Sequence, residues 1–173
     1  MPRHHAFEFT AVVPPEMRFT INPICVDGGG PAFLVRGSNS GGQNLSGVEA
    51  RFQIPAGATF DRVDGLEAPA GAVVQVSGED VPTTWHPVAG FAGTVRWVRV
   101  IDPNAPGIGI AARTGAPVSF VVHLTTSAAG GTGLVGTGRM TSDQLAEPAT
   151  AEGQPYVVDS CHYVHVTKFW DED

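Results

Sequence analysis

Residues 33–60 read FLVRGSNSGGQNLSGVEARFQIPAGATF. An apolar run, Phe33 to Val35, enters a turn-rich segment from Gly37 to Asn44. A second run then alternates. Val48, Ala50, Phe52 and Ile54 fall on one side and Glu49, Arg51 and Gln53 on the other, the period of two that marks a strand with one wet face. Pro55-Ala56-Gly57 ends it. Two strands joined by a turn, one of them half-buried, set the expectation for the rest of the chain.

That expectation holds in both directions from this stretch. Candidate strands are predicted at 6–13, 17–26, 32–37, 46–54, 72–77, 94–101, 117–126, 132–140 and 156–170. Turn signals separate them at 27–31, 38–42, 68–71, 102–104 and 128–131. Within 117–126, Val118, Phe120, Val122 and Leu124 oppose Ser119, His123 and Thr125. Within 94–101 both faces carry apolar residues, which predicts a deep strand or one covered by a loop or a partner. Segment 141–155 is read as a surface loop in preference to a short helix capped at Thr141 or Ser142 and stopped by Pro148. The Pro- and Gly-rich 102–116 is a second long connection.

Composition agrees. The chain has 173 residues, 42% of them apolar, with 22 Gly and 14 Pro. Those two residue types punctuate short strands and break helices, and no window of eleven residues keeps a helical stripe free of them. The predicted fold is all-β: one antiparallel sandwich domain over 1–173, Ig-like, with its core at about 17–140, a loop at 141–155 and additional terminal strands including 156–170. A chain of this size buries enough surface to fold without a metal or a disulfide.

Charge narrows the function classes. Ten basic residues against 17 acidic ones give a net charge of −7, and the nine arginines are scattered without a basic run. Phosphate neutralisation dominates nucleic-acid affinity, so no nucleic-acid partner is expected. No stretch reads as a signal peptide, and none approaches 18 apolar residues, so no membrane span is expected. Cys25 and Cys161 lie near opposite ends. Pairing of the terminal strands would let them bridge and close a very long loop; without a visible secretion signal, two buried free thiols are the simpler expectation.

Chemical motifs are sparse, and no catalytic residue or cofactor is predicted. Gly37-Ser38-Asn39-Ser40-Gly41 has Asn where a nucleophile elbow needs Ser, and reads as a turn. His123, one of His162 and His165, and a carboxylate such as Asp159 would suit zinc, although His162 and His165 are three apart and so on opposite faces of a strand. The plainer reading is partly exposed strand histidines. Cys161 with His123 as base is a second arrangement left open. The ligand or interface candidates are Trp85, His86, Trp97, His123 and Trp170. Trp85-His86-Pro87 lies among turn residues and is expected exposed, Trp97 in the core, and Trp170 against a partner chain.

About half of the chain also resembles a known family. Asn39-Ser40-Gly41, Ile54-Pro55-Ala56-Gly57, Trp97 and Gly115 through Val122 are similar in order and spacing to the Ig-like conserved repeats of bacterial surface proteins. The first 30 residues and those after Met140 lie outside the pattern. The resemblance implies a β-sandwich and a structural or adhesive role at a surface. The expectation is therefore a non-catalytic module of a larger or homo-oligomeric assembly, a virion decoration or tail component or a cell-surface layer, with protein partners. The alternative is a small β-barrel that binds an apolar molecule, as a cyclase or lyase would, with Trp85, Trp97, Phe120 and His123 lining the pocket.

Overall fold

A computed structural model describes residues 14–26, 30–113 and 117–161. The strands are β1 (Met17–Ile24), β2 (Ala32–Asn39), β3 (Leu45–Gln53), β4 (Ala58–Glu67), β5 (Val73–Ser77), β6 (His86–Pro87) and β7 (Trp97–Ile101). They continue with β8 (Ile108–Ile110), β9 (Val118–Thr126), β10 (Gly133–Leu134), β11 (Thr137–Thr141), β12 (Ala149–Glu152) and β13 (Tyr156–Val157). No helix occurs among the described residues.

The fold is an all-β antiparallel sandwich. The smaller sheet has the order β1-β2-β9-β4. The larger has the order β12-β11-β3-β7-β5-β6, with β8 beside the first half of β3. A two-stranded ribbon, β10 with β13, completes it. The inward positions of β2, β3, β7 and β9 interdigitate between the sheets: Phe33, Val35, Val48, Phe52, Val98, Val100, Phe120 and Val122 are fully buried. Phe33 and Phe52 meet across the sheets with ring centroids 5.5 Å apart, and Tyr156 flanks Phe33 at 6.4 Å. Each such aromatic removes a large apolar area from water, so this contact anchors one sheet to the other.

The alternation in β3 and β9 is as the sequence predicts. On β9, however, Ser119 and His123 are buried too, because the strand is central in its sheet and β4 side chains lie over it. Several expectations are corrected. Among the described residues no barrel closes; there the smaller sheet ends at β1 and β4 and the larger at β12 and β6. Strand β4 was not predicted, since charges and Gly65 break its alternation; among the described residues it is an edge strand that pairs with β9 through two bulges. Segment 141–155, read as a loop, contributes β12, and 102–116 contributes β8. The 132–140 strand is split by Val135-Gly136. Trp97 is half-buried on the outer face of the larger sheet, while Val98 and Val100 take the core positions. At the C-terminal end only Tyr156–Val157 is strand before the chain turns; the 6–13 strand and 162–170 lie outside the described residues.

The free-thiol expectation is overturned as well. Cys25, just after β1, and Cys161 form a disulfide with their Cα atoms 5.6 Å apart. The reason is topological. The β10–β13 ribbon returns the chain beside Gly30 and Pro31, where Val158 and Asp159 share a surface cleft with them, and so places Cys161 next to the end of β1.

Candidate functional site

On the outer face of the larger sheet, strand register assembles a row that no local motif announces. Arg139 on β11 lies opposite Arg51 on β3, Arg51 opposite Arg99 on β7, and Arg99 opposite Gln75 on β5. Directly opposed like charges in a sheet are unfavourable unless something neutralises them. Within the row Glu49 does so in part. Its Oε1 accepts from Arg51 Nε and lies 3.5 Å from Arg99 Nη1. Gln75 Oε1 accepts from Arg99 Nε and Nη2, at 2.8 and 2.6 Å. Burial lowers the Arg99 pKa; Glu49 opposes that effect and Arg51 reinforces it. A guanidinium nevertheless stays charged in a protein. Arg139 is exposed and makes no hydrogen bond or ion pair with any described residue.

Trp85 covers this row. Its ring faces the Arg99 guanidinium at 4.3 Å and that of Arg51 at 5.2 Å, two cation–π contacts on one indole. The loop that delivers it is tied at several points. The Glu79 N–H donates to Ser77 Oγ, and Glu79 Oε2 accepts from the backbone amides of Thr83 and Thr84 and from the Thr83 hydroxyl. Those amides hold the Glu79 carboxyl down, from an ordinary 4.5 to about 2. Trp97 Nε1 donates to the Asp80 carbonyl at 3.1 Å, so Trp97 braces the same loop from the sheet face.

The other sequence candidates lie elsewhere. His86 is exposed on the edge strand β6, its ring 5.4 Å from Phe91. His123 is buried on the outer face of the smaller sheet. Its Nδ1 lies 3.3 Å from Arg62 Nη2, and its Nε2 lies 2.8 Å from Asp64 Oδ2 without hydrogen-bond alignment. A niche of about 180 Å³ opens there between Asp61, Arg62, His123 and Thr125. Phe120 is in the inter-sheet core. The four residues expected to line one pocket, Trp85, Trp97, Phe120 and His123, thus occupy two outer faces and the interior, and do not converge. Cys161 is held in the disulfide, which removes the Cys161–His123 pairing. Among the described residues no three His, Cys, Asp or Glu side chains gather as metal ligands. His162, His165 and Trp170 lie outside the described residues.

The site therefore joins two expected residues, Trp85, half-buried where exposure was predicted, and its brace Trp97, to arginines that read as scattered along the chain. The outward alternation of Arg51 was legible. Its cross-strand neighbours were not.

No family model matches the chain, and no curated protein does. Among solved structures it is similar to the GH20 exo-β-N-acetylglucosaminidase of Vibrio harveyi, determined in complex with N-acetylglucosamine, at 12% identity and a TM-score of 0.36. The similarity covers 85% of this chain and 19% of that enzyme, so the chain spans about a fifth of the enzyme's length.

Proposed function

We propose that this chain is a non-catalytic structural or adhesive module that works within a larger assembly, a virion decoration or tail structure or a cell-surface layer, through contact with other proteins. The observation that carries the reading is the half-buried Trp85–Arg51–Arg99 cluster on the outer face of the larger sheet. Tryptophan and arginine are the residue types that dominate binding energy at protein interfaces, and a pre-fixed cluster loses little freedom on binding. The filled interior supports the same reading, since the chemistry-bearing side chains face outward. So does the resemblance of Asn39-Ser40-Gly41 and Ile54-Pro55-Ala56-Gly57 to surface-protein repeats.

Size-exclusion chromatography with light scattering across a concentration series tests it. The expected result is a mass that rises above the 18.0 kDa monomer as concentration increases. An 18.0 kDa species at every concentration, which also fails to bind assembled structural proteins of its source, overturns it.

A further inference from the structure

The row of arginines and the acidic end of the sequence are complementary in charge. The chain carries 17 acidic residues against 10 basic ones, so a row that sets an exposed Arg139 beside the half-buried Arg51 and Arg99 runs against the balance of the molecule. Within the row Glu49 offsets one of the three positive charges of Arg139, Arg51 and Arg99, and Glu152 lies opposite Thr137 one row along the same face. The unspent donors are specific. Arg51 engages Glu49 through Nε alone, leaving its two terminal nitrogens, and the whole Arg139 fork is free of described partners. Two guanidinium forks on opposed strands, one of them held against an indole ring, match carboxylates that sit on adjacent residues.

We propose that this row binds the Asp171-Glu172-Asp173 segment of a second copy of the chain, so that copies join tail to sheet. The inference rests on the assembly reading above and names its partner. The acidic segment follows Phe169-Trp170, and the same sheet face offers an apolar seat one row away, where Val73 is 39% exposed and pairs with Ile101. Binding within one copy is constrained. The chain is fixed at Cys161 beside Cys25, next to the smaller sheet. The nine residues 162–170 that separate Cys161 from Asp171 reach at most about 30 Å. A neighbouring copy meets the face without that limit. A contact between two unlike patches is heterologous, so it propagates into a ring or a filament and not a closed pair, as a layer or tail component requires.

Analytical ultracentrifugation of the full chain at low ionic strength, where exposed charges are least screened, tests the contact. Four proteins are compared: wild type, Arg51→Glu with Arg139→Glu, Asp171→Lys with Asp173→Lys, and all four changes together. The wild type is expected to self-associate, each reversal to weaken that association by about tenfold or more, and the combined protein to recover to within about threefold of wild type. Association that is equal in all four proteins overturns this contact and leaves the assembly reading standing. A combined variant as weak as either reversal alone also overturns the contact. A wild type that stays monomeric while its compaction depends on salt overturns it in favour of binding within one copy. Arg139→Ser, at an exposed site, serves as a second replacement if the glutamates disturb the sheet; it is expected to lose less affinity in the same direction, and no loss counts against the contact.

Discussion

Glu79 shows how much one loop side chain contributes to positioning the cluster. Its carboxylate gathers the Thr83 and Thr84 amides, and that loop leads directly into Trp85. The folded carboxyl titrates at about 2, below its ordinary 4.5, so folding favours the ionised form. The stabilisation is complete above the unfolded value and is lost as pH falls through the folded one, between about pH 4.5 and 2. An NMR titration of the Glu79 side chain and the Thr83 and Thr84 amides is expected to give a shared midpoint near 2; a midpoint near 4.5 would mean the loop is not tied this way. At this scale the sequence was partly legible. Trp85 stood out among turn residues, but an acid four residues before Thr83 is an ordinary loop residue until the chain curls back on it.

Among the elements, the β10–β11 connection is packed closely against the core. A Cβ at Gly136 would lie 2.7 Å from Phe52 Cε2, 3.0 Å from Phe33 Cδ1 and 3.1 Å from Ile21 Cγ2, all parts of a filled core. Gly136→Ala is expected to cost about 1–3 kcal/mol by overpacking, seen as a lower urea midpoint with an unchanged slope. An unaltered midpoint would show that the rings move aside freely. Strands β3 and β9 were readable because each keeps one apolar face. Strand β4 was not, because an edge strand buries little and carries Asp61, Arg62, Asp64 and Glu67, the charges that protect an edge from further pairing. Strand β12, Ala-Thr-Ala-Glu, is extended by its pairing with β11 and has almost no propensity of its own.

For the whole molecule, the Cys25–Cys161 bond spans a sequence separation of 136 and so ties nearly the full described chain into one loop. On the chain-entropy model, closing a loop of that length stabilises the fold by about 5 kcal/mol, an upper figure since the unfolded chain retains some structure. Cys25→Ser with Cys161→Ser is expected to lower the denaturation midpoint strongly while leaving the β-sheet circular dichroism signal in place; an equal midpoint would show that the cross-link adds nothing. The sequence by itself determined the material of this protein: layered strands, their inward and outward faces, and a core of Phe and Val. Those properties follow from the order of neighbouring residues, because the period of two is local. Only the tertiary structure decided that Arg51, Arg99 and Arg139 form one row, with Trp85 over the first two, and that two distant cysteines meet. Such pairings depend on which strands lie side by side and in what register, a choice settled by how the two apolar faces fill one interior and not by any residue's sequence neighbours.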